Sequence, residues 1–213
     1  MRKAPKVVKV EPGVLPSGVL KDAKSVLVVG GLVVYPTDTV YGLGANPLDE
    51  RAVLRAFEAK RREAKPMPVL VSSLKVAEGL VEVTDEARKL MERFWPGGLT
   101  LVLPKKPTVP DVVTCSSPNL GVRMPNHPVA LGLAESIGGY ILGTSANISG
   151  RPAPRTAEEA IEQIGESVDL VIDAGPCPGG VPSTVIDLTA RPPRVVRVGA
   201  VPIEEVSKVV EVA

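Results

Sequence analysis

The sequence predicts an α/β domain organised on a mixed sheet, and three features carry that expectation. Short apolar runs rich in β-branched residues alternate with segments whose apolar positions recur at helical spacing. Glycines and prolines stand where one kind of segment gives way to the next, and 22 prolines imply many short connections. No repeat, low-complexity tract or break in composition divides the 213 residues, so residues 1–213 read as one domain.

In chain order, residues 7–10 form the first expected strand. Ser17 is placed to cap a helix carrying Leu20, Ala23, Val26 and Leu27, which ends at Gly30-Gly31. The run 32–35, stopped by Pro36, reads as a buried strand followed by a long loop. Asp49 is placed to cap a helix with Ala52, Val53, Ala56, Phe57 and Ala59 near one face. Residues 69–71 read as a buried strand and residues 84–94 as a helix closed by W-P-G-G. Strands follow at 99–103 and 121–124, then a helix over 128–137 that ends at Gly138-Gly139, then a strand at 140–142. T-A-E-E at 156–159 is a capping box, with its helix ending near Gly165. Strands at 170–172, 184–188 and 195–198 precede a last helix after Pro202, which turns Val206, Val209 and Val210 inward.

A hydrophobic fraction of 44% and a charged fraction of 23% are those of a globular chain able to bury its own core. The formal net charge of +1 argues against a chain-wide field for nucleic acid or membrane, while leaving room for a local basic patch. Cys115 and Cys177 are far apart and suggest no disulfide framework, so a reducing, cytoplasmic setting is expected. No apolar leader follows Met1. The most apolar stretch, 26–35, is broken by Gly30-Gly31 and falls short of the ~20 residues that cross a bilayer.

Several familiar sites are excluded. There is no G-x-x-x-x-G-K-[ST] phosphate loop, and G-L-G-A-N-P at 42–47 fails the dinucleotide fingerprint at its last glycine. His127 is the only histidine, which leaves little basis for a Ser-His-Asp triad and none for a zinc site of standard spacing.

Five segments set polar residues and glycines beside expected strands. In the first, Thr37 and Thr39 leave the carboxyl end of an apolar strand, where ligands of open α/β sheets bind; a plain turn is the alternative. The second holds Lys60, Arg61, Arg62 and Lys65 at a helix end, either a clamp on an anion or a solvated cluster complementing the helix dipole. The third spans Thr114 to a strand containing Arg123, a charge that must be paired or bind a ligand. In the fourth, G-T-S-A-N-I-S-G at 143–150 offers Ser145 and Asn147 directly after a strand. The fifth, G-G-V-P-S-T at 179–184, feeds Ser183 into a strand, and Arg197 follows on the next.

Together, Y-P-T-D-T-V-Y-G-L-G-A-N-P, K-R-R-E-A-K-P-M-P, W-P-G-G-L-T-L-V-L, V-R-M-P-N-H-P, T-S-A-N-I-S-G, P-S-T-V-I-D-L and R-V-V-R-V-G closely resemble the YrdC-like family of threonylcarbamoyl-AMP synthases. The resemblance runs over residues 19–203 in the family's order and fits its short, single-domain form. It implies a YrdC-like fold, a curved mixed sheet flanked by helices around a deep, positively lined cavity. It also implies condensation of L-threonine, bicarbonate and ATP, with Mg²⁺ accompanying the ATP. The product, threonylcarbamoyl-AMP, would pass to a separate complex that modifies tRNA. By motif position, Lys60, Arg61 or Arg62, and Lys65 would hold phosphates. Thr37, Thr114 and Arg123 would hold threonine and carbamate, and Ser145, Asn147, Ser183 and Arg197 the nucleotide. The spacing within 60–65 departs by about one residue from the commonest family pattern, and Ser72 stands where some members carry His. The resemblance leaves two alternatives: an RNA-binding, YciO-like relative without catalysis, and an adenylating relative with another substrate.

Overall fold

A computed structural model describes residues 4–63 and 65–213. The N-terminal residues 1–3, on which the expectation of no leader bears, and residue 64 within the basic cluster lie outside the described residues. Strand β1 (Lys6–Lys9) leads to helix α1 (Ser17–Val28), whose N-cap is Pro16 with no capping side chain. Ser17 is therefore the first helical residue and not the expected cap. Strand β2 (Val33–Tyr35) follows, and the expected long loop instead contains strand β3 (Gly42–Gly44). Helix α2 (Glu50–Ala59) is capped as expected, with the Asp49 carboxylate accepting from the amides of Arg51 and Ala52.

Strand β4 (Val69–Val71) is followed by α3 (Leu74–Leu80), a helix absent from the sequence reading and capped by Ser73. Thr84 caps α4 (Asp85–Phe94) by accepting from the Ala87 amide. Then come β5 (Leu99–Pro104), the single-turn helix α5 (Asp111–Thr114), β6 (Asn119–Arg123) and α6 (Pro128–Ser136). Strand β7 (Tyr140–Leu142) is separated by Gly143 from the two-residue β8 (Thr144–Ser145). Thr156 caps α7 (Ala157–Ile164), after which β9 (Leu170–Asp173), β10 (Thr184–Asp187), β11 (Arg194–Arg197) and α8 (Ile203–Ser207) complete the fold.

The α/β class holds, but the strands form two mixed sheets, not one. The five-stranded sheet runs β1-β9-β2-β3-β8 and the six-stranded sheet β11-β10-β5-β6-β4-β7. The sheets meet where the Tyr35 hydroxyl donates to the Leu142 carbonyl at 3.2 Å and the Leu142 amide bonds Ala45. Helices α1 and α6 seal this junction from outside: Ala23, Leu27, Val129 and Leu133 pack with Val33, Leu70, Ile141 and Ile172 from both sheets. A larger apolar cluster joins α2, α4 and α7 to the same strands. Among the described residues no helix is long and apolar enough to cross a membrane.

Candidate functional site

The six-stranded sheet has one face packed with Leu101, Leu103, Leu120 and Val122, which are fully buried. Side chains alternate along a strand, so the intervening positions point the other way. Thr100 and Val102 from β5, Gly121 and Arg123 from β6, Val185 and Asp187 from β10, and Arg194 and Val196 from β11 line a cavity of about 740 Å³. Thr39 and Val40, residues 66–68 and residues 143–145 form its other walls. The pairing Val102↔Gly121, with Val102↔Asp187, sets a small apolar floor beside a carboxylate. A Cβ on Gly121 would lie 3.3 Å from Pro68 Cβ, so the glycine also preserves the close approach of β6 to that wall.

Charge converges on this space. Arg62, Lys65, Arg123, Arg194 and Arg197 line it, against Asp187 alone among the carboxylates of the described residues. Arg123 is 5% exposed, as its place in an apolar strand requires, and it is paired. Its guanidinium donates to Asp38 Oδ1, to Thr39 Oγ1 at 2.9 Å and to the Gly97 carbonyl at 2.8 Å. Burial lowers its pKa below the ordinary guanidinium value, while Asp38 opposes that shift. Arg197 is fixed through Nε to the Ser183 carbonyl at 3.0 Å and through Nη2 to Ser183 Oγ at 3.1 Å. Burial lowers its pKa too, and the neighbouring Arg123 and Arg62 charges lower it further. Three guanidiniums, those of Arg62, Arg123 and Arg197, therefore line one cavity, and of these Arg123 alone is bonded to a carboxylate, Asp38. That arrangement favours an anion between them.

A second basin of about 450 Å³ adjoins the cavity and shares Arg62, Lys65 and Ser145 with it. Lys60, Arg61, Asn147, Ser149, Gly150 and one carboxylate, Glu63, complete its wall. The two arginines differ in position: Arg62 lines both spaces, whereas exposed Arg61, held at φ 47°, lines the basin only. Arg62 is itself fixed by bonds to the Lys65 and Pro66 carbonyls at 3.1 and 3.0 Å. Lys60 is 1% exposed, and burial, then the Arg62 charge, pulls its pKa down to about 7.

Two residues assigned to the threonine end stand behind the wall, not on it. The Thr37 hydroxyl is spent within its own turn, bonding the Val40 carbonyl at 2.7 Å and receiving the Thr39 and Val40 amides. Thr39 reaches the cavity instead. Thr114 closes α5 and donates to the Ser117 carbonyl at 2.8 Å, while Ser117 is the residue exposed to the cavity. Ser145, Ser183, Arg123 and Arg197 do line it, and Asn147 lines the adjoining basin. The sequence reading missed Thr100, Asn119, Asp187 and Arg194. Their signal in the sequence is the two-residue alternation of polar side chains along β5, β6, β10 and β11.

A family model described as Sua5_yciO_yrdC, telomere recombination, matches residues 25–199. The chain belongs to this family. A threonylcarbamoyl-AMP synthase of Pyrococcus abyssi is 49% identical over 183 residues, covering 85% of this chain and 54% of that protein. This chain thus spans about half the length of that relative. A putative threonylcarbamoyl-AMP synthase of Mycobacterium tuberculosis is 44% identical over 86% of this chain and 85% of its own. The crystal structure of P. abyssi Sua5 complexed with L-threonine superposes with a TM-score of 0.92 at 43% identity, covering 97% of this chain and 62% of the other. Escherichia coli YciO superposes with a TM-score of 0.86 at 28% identity, covering 94% of this chain and 98% of that one.

Proposed function

We propose that this chain is a threonylcarbamoyl-AMP synthase, which condenses L-threonine, bicarbonate and ATP and releases pyrophosphate. The observation that carries the reading is the convergence of Arg62, Arg123 and Arg197 on a cavity that opens into a second basic basin. The Pyrococcus abyssi relative, named for this activity, supports it. Two joined spaces suit a substrate cut in two. The larger would take the adenylate and the amino acid, the smaller the β- and γ-phosphates, with the α-phosphate near the shared Arg62, Lys65 and Ser145.

The chemistry needs no protein nucleophile. The threonine amine forms an N–C bond to bicarbonate, and water leaves. A carbamate oxygen then bonds the α-phosphorus as the bond to the β-phosphate oxygen breaks and pyrophosphate departs. A carbamate is short-lived in water, so holding it in line within a walled cavity raises the fraction that reacts. Positioned guanidiniums stabilise the charge that builds on the phosphate oxygens. Magnesium enters as the MgATP complex. Asp187, the cavity carboxylate, is already bonded by Thr189 and Arg194, which suits an ion held by phosphates and water and not by a protein cage. The product would pass to a threonylcarbamoyl-transfer complex acting on tRNA, and a cytoplasmic setting would suit that hand-over.

Mass spectrometry of a reaction containing MgATP, bicarbonate and L-threonine is expected to show threonylcarbamoyl-AMP and pyrophosphate, both absent without threonine. A folded protein that yields neither would end the reading. Arg62→Ala and Arg197→Ala are each expected to lower kcat/KM for ATP by about 10²-fold, as loss of one positioned donor does.

A further inference from the structure

We propose that Lys60 is a positioning residue, which holds the 145–151 loop as the wall of the anion basin and does not itself contact the phosphates. The inference rests on the reading of this cavity as an ATP site. An ammonium has three protons to donate. Lys60 Nζ spends them on the Ser145 carbonyl at 2.5 Å, the Asn147 carbonyl at 2.9 Å and Asn147 Oδ1 at 3.2 Å. The Lys60 carbonyl in turn accepts from the Ser149 amide at 2.9 Å, so one residue grips the loop at four points.

The grip is passed on. Asn147 Oδ1 also accepts from the Ser145 hydroxyl at 2.5 Å. That turns the Asn147 amide nitrogen toward the carbonyls of Ile148 at 3.1 Å and Arg151 at 2.6 Å. Apart from β8 the segment lies in no strand or helix, so these bonds set its path. A phosphate reaching for Lys60 would take a hydrogen bond away from the loop, leaving the Ser145 carbonyl only the Asn147 amide and Asn147 Oδ1 only the Ser145 hydroxyl, a costly exchange. Arg62 and Lys65, whose side chains reach both spaces, are better placed to meet it.

The test uses inorganic pyrophosphate as the probe, titrated calorimetrically at about pH 6 into the wild type, Lys60→Met, Asn147→Ala and the double variant. Each single change is expected to weaken binding by about 10²-fold, with the double variant within ~3-fold of the weaker single. Amide exchange within 145–151 should rise in both singles and stay unchanged elsewhere. In the turnover assay, kcat/KM for ATP should fall while the KM for threonine holds. In unmodified protein, the nitrogen-15 signal of the Lys60 ammonium should stay in place as pyrophosphate is added while that of Arg62 shifts, a measurement that survives even if Lys60→Met does not fold. Multiplying effects in the double variant, a Lys60 signal that moves with Arg62, or no pyrophosphate binding by the wild type would each overturn the proposal. The binding readouts need no turnover, so a protein that keeps this pattern yet makes no threonylcarbamoyl-AMP fails the activity reading alone.

Discussion

Residues of one chemical type separate sharply by where they sit. Cys177 is 2% exposed, and burial pushes its thiol up to about 11, whereas Cys115 lies half-buried at the left-handed end of α5. A thiolate is the reactive form, so Cys177 should resist iodoacetamide at pH 8 until urea unfolds the chain, with Cys115 modified first. Peptide mass spectrometry reads this directly, and early labelling of Cys177 would contradict the packing described. Lys60 makes a pH prediction. Its folded pKa of about 7 lies below the ordinary lysine value of 10.5. Between pH 7 and 8.5 the unfolded side chain holds a proton that the folded one has largely released, so unfolding takes up a proton and stability rises with pH. Urea midpoints at the two pH values should therefore increase in the wild type and increase less in Lys60→Met. Equal increments would show that the three loop oxygens keep the ammonium charged and offset the cost of burial.

Elements show how much of the fold could be read in the sequence. Asp49 and Thr156 were recognisable as caps because each carboxylate or hydroxyl stands just before an apolar periodic run and accepts the expected amide, while Thr84, expected as the first helical residue, is in fact the cap of its helix. Ser17 carries the same signal, but Pro16 occupies the cap with its extended backbone. Thr84→Ala should thus cost about 1 kcal/mol in urea unfolding, and Ser17→Ala within about 0.5 kcal/mol of nothing. A matching loss at Ser17 would place the cap one residue later. Strand β3 was invisible for a different reason. G-L-G has no β-propensity, and the strand exists because its glycines let the backbone press on neighbours. A Cβ on Gly44 would come within 2.6 Å of Ile141 Cδ1 and 2.7 Å of Tyr35 Cε1. Such contacts join residues distant in sequence, and no local pattern announces them. The same holds for Asp38, whose pairing with Arg123 spans the two sheets.

At the scale of the whole molecule, the distribution of charge favours the proposed enzyme over an RNA-binding relative. The chain's net charge is only +1, and five of its cations line the cavity where Asp187 is the one carboxylate among the described residues. Aromatic residues make up 3% of the chain, and Tyr35 and Tyr41 are fully buried, which leaves few rings on which unpaired bases could stack. A site that gathers its positive charge inward holds small polyphosphates well and a duplex backbone poorly. Transfer RNA should accordingly bind this chain no more tightly than the non-specific range of about 10⁻⁴–10⁻⁶ M at physiological salt, with affinity falling steeply as salt rises. MgATP, held within a walled cavity beside buried Arg123 and half-buried Arg62, which salt screens less than a surface charge, should lose less affinity over the same range. Gel shifts with transfer RNA and calorimetry with MgATP, run at the same series of salt concentrations, compare the two. Tight transfer RNA binding that persists at high salt, beside weak and salt-sensitive MgATP binding, would reverse the assignment and make the basic cavity the edge of an RNA surface.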